Sequence, residues 1–512
     1  MGWGWYLSDA AGNRTVALEV NFFDGTKQTI PCLINRARDD VAQAYPANPQ
    51  ASTAGFIFLS KLVSRSRIGS ASLSIALDNG TTQNHQLQGF PERFAPDSIA
   101  PQAVATRIQK VWRLAKAGKA TYLLTRLGTS FKQHSRTLVN RIANAQWPHE
   151  NVDLLFDHQL GGGANKFRED KIAQILHTGN AAVLVTFDLP RLLFRLEITS
   201  SRGKLYESYE DLSTLRERLS ETHFSTVHVN NFVSYPDPLA MLQLVKKLIH
   251  SNQSQLTLYL HDFHMVCPSY TLINSDGIYC GVPNLEVCIA CLKTNESIFP
   301  SFVRIREVAP WREAWHELLH AATNIVAFST STVDIIQRAF PANDWLKKVT
   351  LQPHVINVAR YPKLKPNIFS PLKIAVIGNI NFGKGAGVVH DLLALIEQNQ
   401  LAVSIVVIGT LERYSASPAL IVTGPFDNSM LPKLLQQHGV GICWLPSICP
   451  ETFSYVTEEV ITMEMPIVCF DLGAPAERVK RYRWGEVARE TSARGALDAI
   501  LSLAKRVATE AI

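Results

Sequence analysis

The sequence predicts an α/β protein with two doubly wound parallel-sheet domains in tandem, preceded by an all-β, sandwich-like domain and a helical connector. Three observations carry this reading. From Asn151 onward, strand-length apolar runs alternate with helix-period segments, the pattern of parallel α/β sheets. The series is broken once, by a polar, proline-containing segment at 357–371, and then restarts. Ahead of it, the first 96 residues hold short β-type runs closed by Asp-Gly or Asn-Gly.

Composition sets the limits. At roughly 150 residues per domain, 512 residues suggest about three domains. A hydrophobic share of 46% against 18% charged excludes a mainly disordered chain. The charge balance, 50 − 44 = +6, falls short of a nucleic-acid coat but suits phosphates or lipid headgroups. No nucleic-acid partner is expected. No apolar run reaches the ~18 residues of a membrane span, and Met1-Gly2-Trp3-Gly4-Trp5 lacks the basic and apolar regions of a secretory leader. Eight cysteines, four of them bunched, do not form a disulfide-scaffold pattern. A multi-domain cytoplasmic protein is expected.

In chain order, the runs at 15–23 and 72–77 end at Asp24-Gly25 and Asn79-Gly80, so residues 1–96 read as hairpins, with Trp3 and Trp5 in their core. In the connector, 97–150, Val104, Ile108, Val111 and Leu114 recur at helical spacing. Between Arg107 and Arg141 it carries nine basic residues and no acidic one. It reads either as a solvated linker or as a basic amphipathic element, in peripheral contact with an anionic membrane surface or over a phosphorylated substrate. The first α/β domain, 151–356, has strands near 152–156, 182–187, 227–229, 256–260 and 325–328. The second, 357–512, has strands near 372–377, 403–408, 441–445 and 467–470. The carboxyl ends of both sheets would face one cleft, where open α/β sheets bind ligands.

The richest chemistry follows the run at 441–445, in Pro450-Glu451-Thr452-Phe453-Ser454-Tyr455 and on to Glu459. A loop leading into a helix offers unpaired N–H groups and the positive end of a dipole, which suit a diphosphate or a sugar hydroxyl. On one continuous helix, Glu451 and Glu459 would be separated by about 12 Å. Glycoside-cleaving carboxylates sit about 5–9.5 Å apart, so the spacing favours two anchors gripping an extended ligand. In the first α/β domain, Gly161-Gly162-Gly163-Ala164-Asn165 lies between a strand and a helix, where glycines let N–H groups approach a phosphate. His261-Asp262 ends a strand at the cleft edge, and Asn230-Asn231 ends another. Cys267, Cys280, Cys288 and Cys291 have the spacing C-x12-C-x7-C-x2-C, compatible with a closed structural zinc site or with reduced thiols.

The segment from Leu445 through Glu459 to Pro466-Ile467-Val468, with Phe470-Asp471-Leu472-Gly473-Ala474-Pro475-Ala476-Glu477-Arg478 after it, resembles the E-x7-E region of family 4 glycosyltransferases of the GT-B fold. Lys384-Gly385 looks like that family's phosphate-binding lysine loop, and the glycine triplet like its Gly-Gly loop. The resemblance spans roughly residues 151–512. It implies that Glu451 and the backbone of Phe453, Ser454 and Tyr455 hold the donor sugar and diphosphate, and that Glu459 accepts from the ribose. Gly162, Gly163 and Asn165 would face the diphosphate, Lys384 would neutralise it, and His261 would lie against the sugar. One departure stands out. Family members often carry an Arg a few residues before the lysine, whereas here Gly378-Asn379-Ile380-Asn381-Phe382-Gly383 brings no cation.

The function implied is retaining transfer of a sugar from a UDP-, GDP- or TDP-sugar to a saccharide or polyprenyl-linked acceptor in bacterial cell-surface polysaccharide assembly. No divalent metal is expected in the chemistry, and an oligomer is compatible with it. The alternatives are a carbohydrate-binding scaffold with degenerate transferase domains and a GT-B nucleotide-sugar epimerase.

Overall fold

In the computed structural model, the described residues are 2–5, 14–22, 25–36, 55–58, 68–77, 82–86, 151–189, 192–295, 297–298, 307–342 and 344–510. The expected basic connector, 97–150, lies outside them. The chain divides into two compact units. One comprises residues 1–151, 179–222 and 300–302; the other comprises 152–178, 223–299 and 303–512.

In the first unit, strands β1 (Gly2–Trp5), β2 (Arg14–Phe22), β3 (Lys27–Pro31), β4 (Leu33–Arg36), β5 (Gly55–Phe58), β6 (Ile68–Leu77) and β7 (Thr82–Gln86) form two antiparallel sheets. Their orders are β3-β2-β6-β7 and β1-β5-β4. On β2, Val16, Leu18, Val20 and Phe22 are buried and alternate with half-exposed Ala17, Glu19 and Asn21. Ile75, Leu73 and Ala71 of β6 pair with Val16, Leu18 and Val20 and are buried with them. Burial at period two is the mark of a sheet with one face in its core. The predicted antiparallel region is therefore present. The same unit holds β9 (Ala181–Asp188), β10 (Leu193–Ser200) and β11 (Gly203–Tyr209), all antiparallel. The sequence reading placed β9, at 182–187, but took it for a parallel strand and missed β10 and β11.

The second unit carries two parallel sheets. In the first, β8 (Val152–Phe156), β12 (Thr226–Val229), β13 (Gln255–Tyr259), β14 (Asn324–Ala327) and β15 (Val349–Leu351) pair in that order. Helices α1 (Gly163–His177), α3 (Pro238–Asn252), α4 (Leu285–Thr294), α5 (Val308–Ala321) and α6 (Thr330–Ala339) connect these strands; α2 (Leu212–Ser220) belongs to the other unit.

In the second sheet, β16 (Leu372–Ile380), β17 (Val403–Leu411), β18 (Leu420–Val422), β19 (Ile442–Leu445), β20 (Ile467–Phe470) and β21 (Gly485–Ala488) run in the order β18-β17-β16-β19-β20-β21. All its pairings are parallel. Its helices are α7 (Ala386–Gln398), α8 (Leu431–Gln437), α9 (Tyr455–Thr462), α10 (Gly473–Val479) and α11 (Ala493–Glu510). Alternate residues of β16 enter opposite cores: Ile374 and Val376 one, Ala375 and Ile377 the other. Both faces are covered, which explains why the strand reads as a continuous apolar run. On α11, Ala496, Ile500, Leu503 and Val507 recur at helical spacing against the first of these cores.

The strand order fixes the position of the site. From β16 the chain first builds outward through β17 and β18, then crosses back to β19 and builds the other way. Connections diverge at β16 and β19, leaving a crevice at their carboxyl ends. No helix among the described residues is long and apolar enough to cross a membrane.

Trp444 of β19 is fully buried in the core beneath this crevice. Trp444→Ala should destabilise the protein by about 3–5 kcal/mol, measured by denaturant unfolding, because the vacated volume cannot close fully.

Candidate functional site

Two loops meet where the second sheet reverses. One leaves β16 and carries Lys384 into α7; the other leaves β19 and carries Glu451 into α9. Lys384 Nζ donates to Glu451 Oε1 at 2.6 Å, and Ser447 Oγ donates to the same oxygen at 2.6 Å. Burial opposes the lysine's charge, but the Glu451 carboxylate outweighs it and holds the ammonium above its ordinary range. Backbone contact fixes the loops. Gly385 has φ +83°, and a Cβ there would sit 1.9 Å from the Pro446 carbonyl oxygen. Only glycine fits.

Ser454 caps α9, its Oγ accepting from the Thr457 N–H at 3.3 Å. The helix begins at Tyr455, so Glu451 stands in the preceding turn and the separation of about 12 Å expected for a continuous helix does not apply. Glu459, within the helix, is buried and accepts from the Tyr361 hydroxyl at 2.7 Å through Oε1. Burial raises its pKa, partly countered by that hydrogen bond. Its neighbour Glu458 is bound by Arg478 through two contacts at 2.5 and 3.0 Å.

The first sheet faces this helix. Gly161 and Gly162 adopt φ near +83° and +85°, and Gly163 opens α1. A Cβ on Gly163 would lie 2.7 Å from the Tyr455 ring, so the amino ends of α1 and α9 meet there. Asn165 stands behind the loop. It is buried, accepts from the Gly161 N–H at 2.6 Å, and donates to the His158 carbonyl at 2.8 Å and to Asp157 at 3.2 Å. It shapes the glycine loop and is committed to protein partners.

His261, just past β13, is stacked on Phe328 (4.4 Å between centroids) and faces His354 at 5.5 Å. His354 in turn stacks on Tyr455 at 5.2 Å and meets Phe453 edge-on at 4.7 Å. Burial, with His354 and His158 adding to it, holds His261 neutral, and its Nε2 is shielded and has no hydrogen-bond partner among the described residues. The main chain also joins the halves here, with Thr452 Oγ1 donating to the His261 carbonyl at 2.9 Å. Asp262 accepts from Asn231 Nδ2 and, at 2.7 Å, from the His264 N–H, while burial pushes its carboxyl up to about 7. Asn230 donates to the Ala164 carbonyl at 3.4 Å. A cavity of about 300 Å³ opens beside His354, Phe453, Ser454 and Thr457.

The structure brings Lys384 against Glu451, and sets His261 and the glycine loop against the segment 452–455 between Glu451 and Glu459; sequence reasoning did not single out His354, Tyr361 or Asp157. His354 follows a three-residue strand too short to register as a periodic run. Tyr361 lies in the segment read as a linker. Asp157 sat beside the glycine triplet without a motif of its own.

Cys267, Cys280, Cys288 and Cys291 do converge on one pocket of about 430 Å³. Among the described residues, however, no group of three or more His, Cys, Asp or Glu side chains is arranged to hold a metal ion. Cys288 Sγ accepts from Arg312 at 3.4 Å and donates to the Pro283 carbonyl at 3.6 Å, and Cys291 Sγ accepts from Asn295 at 3.4 Å. The zinc expectation gains no support from this geometry.

No family model and no curated protein matches the chain. Solved structures similar to it include a sucrose-phosphate synthase from Thermosynechococcus elongatus, 12% identical, TM-score 0.46, covering 70% of this chain and 90% of that one. Anabaena HepE in complex with UDP is 13% identical, TM-score 0.45, with the same coverage. The lipopolysaccharide outer core galactosyltransferase WaaB is 12% identical, TM-score 0.43, covering 69% and 90%.

Burial also gives the first sheet a pH signature. His264, fully enclosed beside Trp311 (4.7 Å), has its pKa pushed down to about 3 by desolvation. Its folded pKa lies below the unfolded value, so the neutral ring's stability is present above pH ~6.5 and is lost as the pH falls toward 3. Asp262, shifted upward, acts in the opposite sense, losing stability as pH rises through about 7. His264→Gln should remove about 2 kcal/mol of the stability difference between pH 7 and pH 5, read from urea unfolding at both values.

Proposed function

We propose that the protein is a glycosyltransferase that moves a sugar from a nucleotide-sugar donor to a hydroxyl of a saccharide acceptor. The observation that carries this is the Lys384–Glu451 pair at the reversal of the second sheet, with the amino ends of α1 and α9 abutting beside it. Such a site offers fixed N–H groups and an ammonium to a diphosphate, together with carboxylates to hydroxyls.

On this reading the bond between the sugar's anomeric carbon and the diphosphate oxygen breaks, and its electron pair leaves with the diphosphate. The acceptor oxygen bonds to that carbon, and its proton passes to the departing phosphate. Lys384 and the helix termini stabilise the charge that develops. Glu451 holds the sugar and Glu459 the ribose, through the carboxylate oxygen that the Tyr361 hydroxyl does not engage. His261, held neutral, contacts the sugar as a hydrogen-bonding ring and not as a cation. The finer points rest on the sequence resemblance: retention with front-face departure, a UDP-, GDP- or TDP-linked donor, a lipid-linked acceptor, and a role in bacterial surface-polysaccharide assembly; contact of 98–149 with the inner membrane rests on its nine basic residues.

Glu451→Gln and Lys384→Ala should each lower kcat/KM for transfer by roughly 100-fold or more, followed as nucleoside diphosphate released in the presence of saccharide acceptors. Transfer that survives both changes overturns the assignment. Calorimetric titration of the donor should show Glu459→Ala binding more weakly than Glu459→Gln, since the amide keeps an acceptor oxygen for the ribose; equal losses count against the ribose role.

A further inference from the structure

A departing diphosphate poses a question of charge. Lys384 is already matched by Glu451 at 2.6 Å, so together they present little net positive charge. Three nearby guanidiniums are matched as well: Arg168 by Asp157 at 3.2 Å, Arg478 by Glu458 at 2.5 Å, and Arg481 by Glu477 at 3.6 Å. The residues before Lys384 bring no substitute. Asn379 accepts from Thr410, and Asn381 accepts from the Lys384 N–H. Helix termini contribute only about half a unit of charge each.

One ammonium differs. Lys166 lies on the first turn of α1, three residues past Gly163; it is exposed and forms no ion pair among the described residues. Its Nζ stands over the Tyr455 ring, 4.5 Å from the centroid, at the point where α1 and α9 meet. It also acts electrostatically on Glu459 and His354, which places its charge among the proposed donor-binding groups. A cation held on an aromatic face remains free to bind an anion, because the ring uses none of its three N–H donors.

We propose that Lys166, from the first α/β half, is the second cation for the donor's diphosphate. The proposal rests on the glycosyltransferase reading of this cleft. Tyr455 positions the ammonium, and Lys166 meets the phosphate oxygens from the amino end of α1. As the anomeric C–O bond breaks and its electrons pass to the diphosphate, the two ammoniums share the added charge.

The test is calorimetric titration of UDP, GDP, ADP and dTDP, each beside its nucleoside, into the full chain, Lys166→Gln and Lys166→Arg. The diphosphate that the wild type binds should bind about tenfold more weakly to Lys166→Gln, the scale of one lost charge-assisted contact. Nucleoside affinity should be unchanged, and Lys166→Arg should recover most of the loss. Equal diphosphate binding by Lys166→Gln, or equal losses for diphosphate and nucleoside, overturns the role of Lys166 and leaves the transferase reading standing. A wild type that binds none of the four diphosphates overturns both.

Discussion

Reversal of strand order between β16 and β19 is the constraint on which the site depends. Parallel strands need long crossovers, and two crossovers leaving in opposite directions cannot cover the same strand ends. The uncovered ends project two loops toward each other. Gly385 against the Pro446 carbonyl fixes their backbones, and only then can Lys384 reach Glu451, 67 residues later in the chain. A side chain at Gly385 would move the lysine before it moved anything else. The charge pair is a consequence of topology, with one glycine setting its register.

The first sheet solves a different problem, that of holding a glycine loop in one shape. Asp157, with no solvent exposure, is the hub. It accepts from the His158 N–H at 2.8 Å, from Asn165 at 3.2 Å and from Arg168 at 3.2 Å, while Asn165 reaches on to the Gly161 N–H. A buried carboxylate is tolerable only when so engaged, and its loss would strand Arg168 without its carboxylate partner. The loop's freedom, a consequence of its glycines, is thus removed by side chains behind it. N–H groups preorganised in this way lose little entropy when an anion arrives.

Much of this was legible in the sequence. Strands with both faces covered gave largely apolar runs, so 467–470 and, despite Asp153, 152–156 were found to the residue, and β16 and β17 at their first residues. Motifs tied to strand ends located Glu451, Lys384 and the glycine loop, because strand-end position and chemistry coincide there. Strands β10 and β11 escaped because half-exposed antiparallel strands alternate and carried no motif, whereas fully buried β9 was read at 182–187. Cleft residues on short or irregular segments escaped too: Tyr361 beside a 3-10 turn and His354 after β15 owe their places to tertiary packing, which no local period encodes. The Glu451–Glu459 spacing misled for a related reason, since where a helix starts depends on its cap, here Ser454, and not on the count between two carboxylates.

Dividing the cations between the halves has a consequence for water. On the proposed reading, Lys384 rides on the second sheet's loop and Lys166 on the first sheet's helix. The full charge needed by a departing diphosphate then exists only when the amino ends of α1 and α9 are together, as they are around Gly163 and Tyr455. A donor bound to the second half alone would meet Lys384 already engaged with Glu451 and would gain little help in breaking its glycosidic bond. Were both cations on one half, as an arginine before Lys384 would place them, that bond would be activated whenever the donor was bound, including while the cleft stood open to water. Splitting them makes activation and exclusion of water a single event, which disfavours hydrolysis relative to transfer.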